Sequence, residues 1–215
     1  MMKNILLPRI FQPFECLEIV RLGKDNDGGY LVNKLDVIKS KKLISFGIGS
    51  DTSFEEDFLK LKSVEVETFD KSVDIDRFTH YKENVNRRSI HKILDEIPEN
   101  TFLKCDIDGA EYEIFSELIN YSKKLSGIAI ELHGIANRDN FNEIINFISK
   151  IDLKLVHAHL NNYSYYITED RIYVPDVIEL SFTSSTNVIY NENLELPHKF
   201  DMQNNSNDDE FKIFF

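Results

Sequence analysis

The sequence predicts an α/β domain in which a largely parallel sheet carries helices on both faces. Three observations lead there. Short apolar runs alternate with segments of helical spacing, a Gly-x-Gly closes the first of those runs, and acids stand at the ends of the next ones. Alternation of this kind produces parallel strands joined by crossover helices. Right-handed crossovers then bring the loops after the strands to one edge, where such sheets bind ligands.

Each element follows from its pattern. Leu43 to Ile48 is an apolar run ending in Gly49, as expected of a strand buried on both faces. Ser53 to Lys62 places Phe54, Phe58 and Leu61 on one side of a helix. Val64 to Phe69 alternates valine with glutamate and ends at Asp70. Phe102 to Ile107 predicts a strand, followed by a helix from Ala110 to about Lys123 with Ile114, Leu118 and Tyr121 on one face. Ile128 to Leu132 is the next strand, and Phe141, Ile144, Ile145, Ile148 and Ile151 mark an amphipathic helix. Leu153 to Ala158 and Val177 to Phe182 complete the strands. Between Lys71 and Glu99 the pattern weakens, which predicts a short or displaced third strand.

The length of 215 residues suits one domain: an N-terminal extension over 1–40, a core over 41–190 and a tail over 191–215. The formal net charge of -12 repels a phosphate polymer, and the only adjacent cations that stand out are isolated pairs such as Arg87-Arg88. Nucleic acid is therefore not an expected partner, and a small-molecule acceptor is. No apolar run approaches the ~20 residues of a membrane span, and no secretory signal is evident. Two cysteines, Cys16 and Cys105, do not make a disulfide framework, so a cytoplasmic protein with reduced thiols is expected. Nothing in the sequence specifies an oligomeric state. Asp201 to Glu210, rich in Asn and Asp, reads as a surface loop or mobile tail, and the aromatic-rich Phe211 to Phe215 as a segment that docks.

Chemistry concentrates at the predicted strand ends. Gly47 and Gly49 permit a tight turn and a close backbone approach to a ligand, although Gly-x-Gly also marks plain turns. Asp70 follows about 20 residues on, where a carboxylate accepts both hydroxyls of an adenosine ribose; the alternative is a solvated acid. Asp106 and Asp108 share a face if extended geometry persists, and Glu111 falls in the first turn of the next helix. That group either caps the helix or holds a substrate amine, a substrate hydroxyl or a hard divalent cation. Glu131 and His133 alternate onto one face of the following strand, and His157 and His159 repeat the pattern before Asn161-Asn162.

These blocks, together with Arg21-Leu22-Gly23-Lys24, Asp27-Gly28-Gly29-Tyr30 and Val174-Pro175-Asp176-Val177-Ile178-Glu179-Leu180, keep their order over residues 21–180. In this the chain resembles the FkbM-type, DGGY-signature class I methyltransferases. The resemblance implies a Rossmann-like, seven-stranded sheet whose last strand is antiparallel, and S-adenosylmethionine as methyl donor. It places Gly47 and Gly49 at the amino acid portion of the donor and Asp70 at its ribose. Asp27, Gly28, Gly29 and Tyr30 become a turn that closes over the donor; the alternative is a glycine turn in a surface hairpin. Members with sugar-hydroxyl acceptors, and bacterial capsule or surface-polysaccharide enzymes including those supplying O-methyl phosphoramidate groups, set the expected acceptor.

Transfer to a hydroxyl calls for a base, and His133 or His159 is expected to serve. Asp106, also on the donor side, would position the acceptor with Asp108, Glu111, Glu131 and Asn161, either directly or through Mg²⁺ held by Asp106, Asp108 and Glu131. Two other readings stay open: a nucleotide-sugar glycosyltransferase using Asp106-Ile107-Asp108 as a metal-binding DxD, and a non-catalytic protein that binds the donor.

Overall fold

The computed structural model describes residues 2–215. Its centre is a sheet of seven strands: β1 (Lys42–Phe46), β2 (Glu65–Phe69), β3 (Thr79–Tyr81), β4 (Thr101–Cys105), β5 (Leu125–His133), β6 (Lys154–Leu160) and β7 (Val177–Thr183). Their order is β3-β2-β1-β4-β5-β7-β6. Pairings from β3 through β5 are all parallel, whereas β7 runs antiparallel to both β5 and β6. The α/β expectation and its antiparallel last strand hold. The order reverses between β1 and β4, so the crevice at their carboxyl ends is the ligand position that this topology creates. The weakly patterned region does yield a third strand, β3, only three residues long.

The two faces of the sheet differ. On one, Ile44, Phe46, Leu103, Cys105, Ile128, Ile130, Leu132, Leu180 and Phe182 join a core completed by helices α3 (Ile90–Asp95), α4 (Phe115–Tyr121) and α5 (Arg138–Lys150). On the other, Leu43, Phe102 and Ala129 pack with Phe54 and Phe58 of α2 (Ser53–Leu61) and Val37 of α1 (Lys34–Lys39). An antiparallel hairpin, Ile19–Leu22 with Tyr30–Asn33, lies on this second face and adds Leu22, Tyr30 and Val32 to its core. Toward the carboxyl edge the second face turns polar: Glu131 of β5 stands opposite Glu179 of β7, which stands opposite His159 of β6.

Two expectations are corrected. The helix expected from Ala110 is a 3-10 turn (Glu111–Glu113), then α4, then a second 3-10 turn (Ser122–Lys124). The cause lies just before it, where Asp108 and Gly109 have positive φ of 52° and 97°. Glu111 folds its carboxylate back onto the amides of Ile107 (3.1 Å) and Gly109 (3.2 Å). Asp108 does not cap the helix; its side chain is 98% exposed.

The segment Asp201 to Glu210 is docked rather than mobile. Its acids and amides find partners on the polar sheet face: Asp201 Oδ1 lies 2.9 Å from His157 Nε2, and Glu210 Oε2 lies 3.3 Å from His159 Nε2. Asn205 N–H donates to Asn162 Oδ1 at 2.7 Å. The aromatic end docks as expected, with Phe211–Phe214 pairing in parallel with Lys3–Leu6.

These contacts predict a pH-dependent clamp. Burial alone would depress His159, but the carboxylates of Glu179 and Glu210 outweigh it and raise the imidazole well above its usual value. A raised folded-state pKa contributes stability that is fully present below about pH 6.5 and fades as pH rises through the folded value. Urea midpoints should therefore fall on the alkaline side, and His159→Gln should remove most of that slope while lowering stability at pH 6.

Candidate active site

The turn after β1 forms where two strand ends nearly touch. Gly47 has φ +70°, and a Cβ there would lie 1.6 Å from the carbonyl oxygen of Asp106 at the end of β4. Gly47 is thus required by backbone approach between neighbouring strands. Gly49, at φ +58°, faces open space, with nothing within 4 Å of a built Cβ. Its N–H donates to Asp70 Oδ2 at 2.9 Å, which sets the glycine turn and the acid at the end of β2 side by side. Burial works to raise the Asp70 pKa, but hydrogen bonds from the Ser72 hydroxyl and amide and from Gly49 lower it below the usual value. The carboxylate stays ionised, with lone pairs for ligand hydroxyls.

A cavity of about 470 Å³ opens here, lined among others by Asp27, Gly28, Gly49, Asp70, Lys104 and Asp106. Its chemistry suits an adenosyl amino acid. It has an ionised acid for a ribose, bare backbone at Gly49 for close approach, and apolar walls at Ile48, Phe69 and Val85. Asn84 and Val85, on the loop after β3, were missed by sequence reasoning because a loop carries no periodic signal.

The expected DGGY turn divides its roles. Asp27 and Gly28 line the cavity. Gly29 and Tyr30 stand behind that wall. A Cβ on Gly29 would lie 2.3 Å from Arg21 Nη2, and the Arg21 guanidinium donates to the carbonyls of Gly29 (3.0 Å), Lys24 (3.1 Å) and Asn26 (2.6 Å). Tyr30 is buried, and its hydroxyl sits 3.3 Å from Asp106 Oδ2 and 3.4 Å from Glu131 Oε2.

Beside the cavity the structure gathers an ionisable group. His133 Nδ1 lies 3.1 Å from Glu111 Oε1, while Nε2 faces Glu131 Oε1 (3.4 Å) and Asp108 Oδ1 (4.0 Å). Glu111 is fully buried, and its Oε1 already accepts two backbone amides. A carboxylate oxygen can only accept, so it places the imidazole proton on Nδ1 and leaves Nε2 to take another. Burial tends to lower the His133 pKa, but Glu111, Asp106 and Asp108 raise it overall. Burial and the charges of Glu179, Asp106 and Asp27 push Glu131 up to about 10, so its carboxyl is neutral at pH 7. Burial likewise raises Asp106, against the opposing charges of Lys104 and His133. Lys104 Nζ donates to the Gly47 carbonyl at 3.2 Å and stands 3.9 Å from Asp106 Oδ2.

The metal triad expected at Asp106, Asp108 and Glu131 is not the set that converges. Ligand atoms of Asp106, Asp108 and His133 lie within 4.8 Å of one another. A set containing imidazole favours borderline metals over Mg²⁺. His159 is corrected as a base: it is 3% exposed, outside the cavity, with Nδ1 3.4 Å from Glu179 and Nε2 3.3 Å from Glu210. Asn161 is also buried; its amide donates to Asp27 Oδ1 at 3.3 Å, so it supports the cavity wall. Cys16 and Cys105 are free and buried.

The sheet order, the glycine turn at the end of β1 and the acid at the end of β2 define a class I methyltransferase fold. The family model described as Methyltransferase FkbM domain matches residues 13–165. The chain belongs to this FkbM methyltransferase family, with S-adenosylmethionine as methyl donor. This overturns the glycosyltransferase reading of Asp106-Ile107-Asp108.

No curated protein matches the sequence. Among solved structures, the chain is similar to a SAM dependent methyltransferase from Archaeoglobus fulgidus (13% identity, 69% of this chain, 88% of that one, TM-score 0.44). It is also similar to precorrin-6y C5,15-methyltransferase from Geobacter metallireducens GS-15 (13%, 71% and 84%, TM-score 0.43). The fibrillarin pre-rRNA processing protein of Methanococcus jannaschii matches at 10% identity over 69% of this chain and 68% of that one, with TM-score 0.45. Among the described residues no helix is long and apolar enough to cross a membrane.

Proposed function

We propose that this methyltransferase acts on oxygen, transferring methyl to a hydroxyl of a small uncharged acceptor such as a sugar, with His133 as general base. The observation that carries the reading is the Glu111–His133 pair beside the cavity, with Nε2 directed at Glu131 and Asp108. S-adenosylmethionine supplies an electrophilic methyl on a sulfonium, and transfer to oxygen is an in-line displacement governed by alignment. Asp70 holds the ribose hydroxyls, and the Gly47–Gly49 turn faces the amino acid portion. Asp106 and Asp108 position the acceptor, the neutral carboxyl of Glu131 donates to it, and His133 Nε2 takes its proton.

The choice between hydroxyl and phosphoryl oxygen rests on charge. Asp27, Asp106, Asp108 and Glu111 crowd this edge against Lys104 and His133. An anionic phosphoryl or phosphoramidate acceptor would meet repulsion there, and an anionic oxygen would need no base. A role in bacterial capsule or surface-polysaccharide biosynthesis is the setting that family membership suggests. The converging ligand set gives Mg²⁺ no support.

Calorimetry with S-adenosylhomocysteine tests the donor site. Wild type is expected to bind, and Asp70→Asn to bind at least tenfold more weakly, about 1.4 kcal/mol. Equal affinity in the variant would remove the ribose role. Donor binding by wild type with no transfer to a panel of neutral glycosides and phosphorylated sugars would mark a non-catalytic donor-binding protein.

A further inference from the structure

We propose that Asn204, in the C-terminal segment, is a positioning residue for donor binding that holds Asp27 in the wall of the donor cavity. The inference rests on the reading of that cavity as the donor site. Asn204 lies beyond the residues matched by the family model, and in the sequence it is one asparagine in a polar run. In the fold it is 2% exposed. Its Nδ2 sits between two carboxylates, 3.1 Å from Asp27 Oδ1 and 2.7 Å from Glu179 Oε1. An amide nitrogen is needed at that point, because the amide oxygen would face two acceptors.

The neighbouring backbone is gripped as well: Asn26 Nδ2 donates to the Gln203 carbonyl at 2.8 Å. Residues 203 and 204 thus bind the turn at residues 26 and 27, whose Asp27 and Gly28 line the cavity. Anchors on either side hold the segment in place, Asp201 on His157 and Glu210 on His159. The bonds from Asn204 and Asn161 both fall on Asp27 Oδ1, which leaves Oδ2 for a cationic group of the donor, its α-ammonium. Asn204 therefore acts on the ligand through Asp27 rather than by touching it.

A double-mutant cycle tests this. The Kd for S-adenosylhomocysteine is measured by calorimetry for wild type, Asn204→Ala, Asp27→Asn and the double variant, each below the onset of its own thermal unfolding. Asn204→Ala should weaken binding about tenfold, and Asp27→Asn by at least as much. The double variant should stay within about twofold of Asp27→Asn alone, because an amide that works through a carboxylate has nothing left to position. Losses that multiply in the double variant would show a merely structural amide and overturn the proposal. So would Asn204→Ala binding like wild type while Asp27→Asn binds weakly. Wild-type affinity in Asp27→Asn would instead overturn the reading of the cavity wall. If the alanine variant does not fold, Asn204→Ser, which still donates over a shorter reach, carries the same comparison.

Discussion

Gly47→Ala should leave little or no folded protein, whereas Gly49→Ala should fold and lose donor affinity. The two glycines are two residues apart, and both have positive φ, at +70° and +58°. For an alanine that backbone conformation costs about 1–2 kcal/mol. The difference between them is what a methyl group meets. At position 47 it would lie 1.6 Å from the Asp106 carbonyl oxygen and 2.7 Å from its carbon. Both atoms are backbone held by a ladder in which Asp106 N–H donates to the Phe46 carbonyl at 3.0 Å. Relief would require separating β1 from β4 at the centre of the sheet. A destabilisation above about 4 kcal/mol is expected, because strain and overlap act on backbone that cannot move aside. Urea unfolding measures it. At position 49 the methyl group enters the space assigned to the donor, so the urea midpoint should move only by the backbone strain. The Kd for S-adenosylhomocysteine should rise at least tenfold. A Gly47→Ala protein with a wild-type midpoint would mean that the strand ends are not packed as described.

Replacing His133 should have the largest effect on turnover. General bases typically contribute 10²–10⁴-fold, so His133→Gln should lower kcat by at least about a hundredfold while donor Kd stays near wild type. The pH profile carries a second, independent signature. A base works unprotonated, so kcat/KM rises with pH through the pKa of the free enzyme. Acidic neighbours led by Glu111 raise that pKa above the usual histidine value, so the rising limb should sit on the alkaline side of about pH 6.5. Glu111→Gln removes the negative charge from Nδ1, so its rising limb should shift to lower pH with reduced kcat. Full activity in His133→Gln would exclude the base role. An unshifted limb in Glu111→Gln would show that the pair does not set the titration.

The strands, and the glycine turn and acid that meet at their ends, were readable from the chain because their signals are local. A strand buried on both faces must be apolar at its centre, as Leu43-Ile44 of β1, Phe102-Leu103 of β4 and Ile128-Ala129-Ile130 of β5 are, and their carboxyl ends follow directly in sequence. The spacing from Gly49 to Asp70 is one crossover unit, so the pair could be expected before its 2.9 Å hydrogen bond was seen. The break in the helix after Asp108 was not readable, because it depends on a carboxylate folding back onto two amides rather than on apolar spacing. The tail misled for a related reason: Asn and Asp are signals of exposure only where no partners await them, and here His157, His159 and Asn162 do.

What the sequence determined by itself is the α/β sheet, its carboxyl edge and the residue types gathered along it, since periodicity and chain order suffice for those. Which of these groups work together was decided only by the tertiary structure. Tyr30 meets Glu131 across 101 residues and Asn204 meets Asp27 across 177. Protonation is likewise a property of the assembled environment, where burial neutralises Glu131 and Glu111 orients His133. Two histidines with the same strand-end pattern thereby take different positions, one beside the cavity and one locked between carboxylates.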